Sequence, residues 1–188
     1  MGRRGRAKFD KFGHFYFVTT TVNCFEKVFS LNDKYYDILI DSLKYQIDEH
    51  KANLFAYVLM PNHIHLILHL PEGESLSDFM RDYKRYTSIA IRNELHKDGN
   101  IVLINKLINA SGHGGFKLWM DRFDDLVLFS DKVFQTKVDY IHNNPVKSGL
   151  VKNITNWKYS SARNYYLGDN NIIKVGLWEP SVPSQVNT

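Results

Sequence analysis

One short stretch constrains this chain more than any other: residues 63–70 read His-Ile-His-Leu-Ile-Leu-His-Leu. Side chains alternate across a β-strand. Ile64, Leu66, Leu68 and Leu70 therefore share one face, and His63, His65, Ile67 and His69 share the other. The leucine row demands burial under a second layer. The histidine row is not a plain core row. Residues 54–60 form another apolar strand just upstream, and Pro61-Asn62 between them is a turn signal, so residues 54–70 read as a tight hairpin. Any fold that holds this hairpin needs helices against the leucines and leaves the imidazoles on the opposite side.

The flanking segments supply those helices. Residues 14–22 are β-branched and aromatic and read as a strand. Asn32 or Asp33 caps a helix to about His50, with Tyr36, Leu39, Ile40, Leu43 and Ile47 at helical spacing. Ser75 with Asp78 three residues on resembles a capping box. The helix behind it reaches about Leu95, with Leu76, Phe79, Met80, Tyr83, Thr87 and Ala90 facing inward. Residues 97–117 are mixed, with a glycine-rich loop at 111–115, and residues 119–129 read as a fourth strand. Ser130 or Asp131 starts a helix expected to end near Asn144, because proline disfavours helix for the residue before it and Pro145 follows. A short helical piece lies near residues 160–166.

The order β-α-β-β-α-β plus a helix is the split βαβ pattern. The expected class is α+β: a ferredoxin-like, four-stranded antiparallel sheet, two helices on one face, and an additional tyrosine-bearing helix. The other sheet face is expected to stay uncovered. The chain divides into a basic arm at 1–13, one domain at 14–166 and a tail at 167–188.

Composition narrows the class. Hydrophobic residues are 44% of the chain, enough for a real core. The single cysteine, Cys24, rules out an intramolecular disulfide and a cysteine zinc cluster. No apolar run is long enough to span a bilayer and no apolar segment follows the basic start, so the expectation is a cytoplasmic protein with no membrane partner. The net charge is only +4, but Arg3, Arg4, Arg6, Lys8 and Lys11 crowd the first eleven residues against one acid, Asp10. Such an arm suits a phosphate backbone, or simply a solvated start. The chain also carries 11 Tyr, 12 Phe and 3 Trp, some of which can stack on bases, although most belong to a core.

Two imidazoles on one strand face can hold a divalent metal. Taken alone an H-x-H is weak, and exposed or satisfied strand histidines are the plain alternative. Placement on the non-core face just after a turn strengthens the metal reading. His69 has the right parity but lies further along. On the last long helix the apolar stripe is Phe134, Val138 and Ile141, with Tyr140 beside it and Asn144 four residues later on nearly the same face. A half-buried helix-edge tyrosine is the plain reading. The sharper one directs Tyr140 and Asn144 at the histidines, with Asn144 as a third ligand. Histidine and amide donors completed by phosphate oxygens suit Mg²⁺ or Mn²⁺. A phenol there can attack a phosphodiester, leaving a 5′-phosphotyrosine and a free 3′-OH.

Several segments together resemble the HUH single-tyrosine transposases, most of all their REP-associated branch. They are residues 57–66 (Tyr-Val-Leu-Met-Pro-Asn-His-Ile-His-Leu), 84–87 (Lys-Arg-Tyr-Thr), 140–151 (Tyr-Ile-His-Asn-Asn-Pro-Val-Lys-Ser-Gly-Leu-Val) and 157–161 (Trp-Lys-Tyr-Ser-Ser). The resemblance implies His63 and His65 as metal ligands, Tyr140 as nucleophile, and Asn144 as the polar residue one turn later. It implies single-stranded DNA hairpins, REP-like palindromes, as partner, with the arm from Arg3 to Lys11, and Arg3, Arg4, Arg6 and Lys8 in it, reading nucleotides at the hairpin foot. Lys84 and Arg85 are candidate phosphate contacts. Two other readings stand beside an active transposase: a domesticated protein with the same chemistry, and a non-catalytic hairpin-binding module. Monomer and homodimer are both open.

Overall fold

The computed structural model describes residues 14–110 and 114–177. Its strands are β1 (Phe15–Thr21), β2 (Asn53–Leu59), β3 (His63–His69) and β4 (Asp124–Val127). The helices are α1 (Asp33–Glu49), α2 (Leu76–Lys97), α3 (Ile101–Asn109), α4 (Asp131–Lys147) and α5 (Ala162–Leu167). The strands form one sheet in the order β2-β3-β1-β4, and every neighbouring pair is antiparallel. This is the ferredoxin-like arrangement expected from the order of elements.

Local chemistry sets the helix starts. The Asn32 side chain accepts from the Lys34 amide at 3.1 Å. The Ser75 hydroxyl accepts from Asp78 N, and the Ser130 hydroxyl from Val133 N. Each satisfies one of the amides that a helix leaves unpaired at its first turn. α1 and α2 then bury their stripes on the leucine side of β3. Leu39, Leu43, Phe79, Met80 and Tyr83 pack with Val18, Ile64, Leu66 and Leu68. Beyond Thr87 the buried stripe of α2 continues through Ile91 and Leu95, while Ala90 is only half-buried.

Four expectations need correction. First, the histidine side of the sheet is not bare. Phe134, Val138 and Ile141 of α4 pack on Phe17, Ala56, Val58 and Ile67, forming a second core. The apolar stripe of α4 needed a partner, and these four side chains are it. At ~1.5–3 kcal/mol per buried side chain, those three residues contribute roughly 5–9 kcal/mol of gross burial energy. Second, α4 does not stop at Asn144. It runs through Pro145 to Lys147. Proline forfeits only one amide bond so close to the helix end, and its ring is buried. The stop signal is instead Gly149, at φ 70°, one residue past the cap Ser148. Third, residues 97–117 contain α3, capped by Asn100, with Ile104 and Leu107 buried. Fourth, the last strand is short. Trp119 makes only an isolated bridge to Val22, its indole N–H donates to Thr87 Oγ1 at 2.9 Å, and strand pairing holds for Asp124–Val127 alone.

After α5 the chain runs back along β2. Ile173 and Val175 are buried and Gly176 N donates to Leu54 O at 2.8 Å. Residues 111–113 of the glycine-rich loop, and the chain beyond 177, lie outside the described residues. Among the described residues, no helix is long and apolar enough to cross a membrane.

Candidate active site

The register of β1 against β3 places Thr19 opposite His65 and Thr21 opposite His63. Thr19 Oγ1 lies 2.8 Å from His65 Nδ1, and Asn62 Oδ1 lies 2.8 Å from His63 Nδ1. When both Nδ1 atoms carry the proton they donate to these oxygens, and each Nε2 keeps its lone pair. Fixing the tautomer from behind is how a protein presents imidazole to a metal. The two rings stand 4.9 Å apart, centroid to centroid, at 75°.

α4 delivers the tyrosine. Its buried stripe fixes the rotation of the helix about its axis, and Tyr140 falls beside that stripe. The phenol ring is 5.1 Å from the His65 ring and 5.9 Å from that of Phe17, edge-on to both. Phe17 in turn stacks on His65 at 5.5 Å and 17°. Tyr140 remains 39% exposed, so a strand in solution can reach it. One turn later Asn144 comes near enough to His63 to oppose the burial-driven fall of its pKa. Because α4 continues past Pro145, Asn144 is still on helical geometry when it does so. All four residues come from the same chain.

Burial dominates the electrostatics. His65 is only 4% exposed, and burial, reinforced by His63 and Lys137, pushes its pKa down to about 3. Burial also lowers that of His63, with Asn144 opposing. Both imidazoles are therefore neutral at pH 7, the form that binds metal. His65 Nε2 is buried with no hydrogen-bond partner. A buried polar atom without a partner is costly unless something absent from the chain satisfies it. A cation held by His63, His65 and Asn144 fits that atom. Among the described residues no group of three or more His, Cys, Asp or Glu stands placed to hold a metal. Two ammonium groups flank the phenol: Lys137 Nζ is 4.4 Å from the Phe17 ring centre and 5.5 Å from that of Tyr140, and Lys147 Nζ is 5.9 Å from the latter. Among the described residues neither lysine has a carboxylate partner.

Other sequence candidates stand elsewhere. His69 is at the far end of β3, against Phe15 at 5.1 Å. Lys84 and Arg85 are on α2, across the sheet from the imidazoles. There Lys84 Nζ donates to Met120 O at 2.7 Å and Asp121 O at 3.1 Å, while Arg85 is exposed along the same concavity. Arg3, Arg4, Arg6 and Lys8 lie outside the described residues. The sequence reading missed Thr19, Asn62 and His142. Thr19 is visible only through the register. His142 was within reach, since it follows Ile141 on the buried side of α4; its Nε2 lies 2.9 Å from Ser161 Oγ.

The ferredoxin-like sheet, its histidine pair and the helix tyrosine that meets it stand where the motifs that resemble the single-tyrosine transposases place them in the chain. Residues 13–144 match the family described as "Transposase IS200 like", and the chain belongs to that family. It is 28% identical over 156 residues to a Haemophilus influenzae protein named "Putative REP-associated tyrosine transposase", covering 83% of each. It is 30% identical over 107 residues to the REP-associated tyrosine transposase of Escherichia coli K12, a match spanning 56% of this chain and 52% of that one. The solved structure of a REP-associated tyrosine transposase bound to a REP hairpin shares the fold, with a TM-score of 0.65, 24% identity and 96% coverage of both chains.

Proposed function

We propose that this transposase-family chain is a metal-dependent endonuclease and strand transferase for single-stranded DNA that folds into palindromic hairpins. The observation that carries the reading is the packing of the Tyr140 ring against His65, whose outward nitrogen is buried without a partner. His63, His65 and Asn144 would hold Mg²⁺ or Mn²⁺, which supplies positive charge that polarises the scissile phosphate. Tyr140 attacks phosphorus through its phenolic oxygen. The new bond is O–P, the bond broken is P–O3′, and the phenolic proton passes to water. The products are a 5′-phosphotyrosine and a 3′-OH. The link retains phosphodiester energy, so a second 3′-OH can reverse the step and join a new strand. Lys137 and Lys147 hold phosphate charge beside the phenol. Hairpin palindromes are the proposed substrate because similar proteins bear the REP-associated name and the structural neighbour was solved on such a hairpin.

The test is incubation with a hairpin-forming single strand and Mn²⁺ or Mg²⁺. Wild type should give a protein–DNA adduct that survives SDS, and Tyr140→Phe should give none while still binding. A wild type that binds hairpins tightly yet never forms the adduct would instead be a hairpin-binding module.

A further inference from the structure

Immediately after β1 the chain makes a tight turn over Asn23–Phe25, in which Cys24 (φ 56°) and Phe25 (φ 54°) both adopt left-handed backbone. For L-residues this costs ~1–2 kcal/mol each, and for a bulky side chain it is a true outlier. The surroundings enforce it. Phe25 N donates to Val22 O at 3.1 Å, and Asn23 N to Leu118 O at 2.7 Å. The Asn23 side chain donates to Lys117 O, and Glu26 pairs with Lys106 at 2.5 Å. The Asn62 side-chain nitrogen donates to Phe25 O at 2.9 Å. The strain brings no burial to Phe25, which is 66% exposed. Strain of this kind collects at functional sites.

Asn62 makes the location informative. Its nitrogen holds Phe25, and its oxygen accepts from His63 Nδ1 at 2.8 Å. One amide thus ties the backbone that carries an exposed aromatic ring to the His63 imidazole. We propose that Phe25 is a stacking platform for an unpaired nucleobase of the DNA strand close to the scissile phosphate, with Asn62 setting its position relative to His63. The inference rests on the single-stranded DNA reading above. A lone ring on a rigid, multiply latched turn fits a base, which needs only one π-face. Exposed Lys27, two residues on, supplies a cation for the same strand's backbone. Such a platform is tolerant of base identity and selects for an unstacked nucleotide, since a base inside a duplex has both faces covered by its neighbours.

The experiment measures Kd for a hairpin strand with unpaired flanks, and for a series carrying one abasic site at each flank position. Wild type, Phe25→Ala and Phe25→Trp are compared at fixed salt. Phe25→Ala should raise Kd by about 5- to 100-fold, as loss of one base–aromatic stack does, and Phe25→Trp should restore binding. One abasic position should cost wild type the same factor and cost Phe25→Ala nothing further. If Phe25→Ala binds every strand as wild type does, or if its loss simply multiplies with every abasic loss, the platform is refuted. A change in oligomeric state by light scattering with an unaltered abasic pattern refutes it too, and assigns the ring to self-association. Thermal melting of Phe25→Ala should match wild type because the ring is exposed. A wild type that forms no adduct and binds no strand overturns the functional reading and this inference with it, whereas an active wild type matched by Phe25→Ala overturns the inference alone.

Discussion

His142 gives the sharpest quantitative expectation. It lies two residues beyond Tyr140, is wholly buried, and holds α4 to the segment before α5 through Ser161. The Ser161 hydroxyl also accepts from Tyr57 N at 2.9 Å, so this contact anchors α4 to β2. The Tyr165 and Tyr166 rings close over the imidazole at 4.9 and 5.8 Å. Burial pushes its pKa down to about 4, with Asp139 partly opposing. In the unfolded chain it titrates near 6.5. Between those values the unfolded state takes up the proton and the native state refuses it, so stability is full above ~6.5 and is lost as pH falls toward 4. Linkage puts the loss from this one residue at about 2 kcal/mol at pH 5 and about 3 kcal/mol at pH 4. The perturbation is His142→Gln, which carries no titrating group. Urea unfolding followed by tryptophan fluorescence, with EDTA, compares both proteins at pH 7.5 and pH 5. Carboxylates, His63 and His65 contribute to both and cancel in the difference. Wild type should lose about 2 kcal/mol more than the variant, on the order of 1 M urea in midpoint. Equal losses would show that the His142 environment does not exclude the charged ring, and the reasoning from burial would fail.

Three further outcomes follow from the same geometry. Phe134→Ala removes a ring buried between α4 and the sheet and should cost about 3–5 kcal/mol in urea unfolding; a cost under ~1 kcal/mol would mean α4 is not docked there. Thr19→Val removes the partner of His65 Nδ1 and should weaken Mn²⁺ binding by about 10- to 100-fold in calorimetric titration, with little change in fold. Replacing Lys137 and Lys147 together by glutamine should lower the salt dependence of single-strand binding, the log–log slope falling by about 0.7 for each phosphate the pair no longer neutralises; an unchanged slope would place the strand away from both.

Much of this architecture was legible because few residues do two jobs. The alternation of residues 63–70 separates core from site in one strand. Ser75 and Ser130 mark helix starts by the chemistry of their hydroxyls. Legibility failed where a local rule met tertiary packing. Pro145 reads as a stop, yet a helix already held by Phe134, Val138 and Ile141 tolerates one missing bond in its last turn. α3 carries a stripe of Leu103, Ile104, Leu107 and Ile108, but it is only nine residues long and also holds exposed Ile101 and Val102, too little periodicity to separate it from loop or strand by sequence. The stripe of α4 was visible, but its destination was not, because only the folded chain brings Phe17 and Ile67 beneath it. At the candidate site, spacing and the motif resemblance singled out His63, His65, Tyr140 and Asn144, whereas Thr19 and Asn62 reach the histidines through partners that spacing does not reveal.

β3 belongs to two interiors at once. Its even-numbered side chains fill the layer under α1 and α2, and its odd-numbered ones face the side of the sheet that α4 covers. A slip of a single residue against β1 would exchange the two sets, driving imidazoles into the larger core and leucines toward the phenol. Such a misaligned molecule forfeits stability and chemistry together. The strand thereby acts as its own proofreading device: a chain that has reached its folded state has, by the same alignment, already set the His65 ring against Tyr140 with His63 beside it.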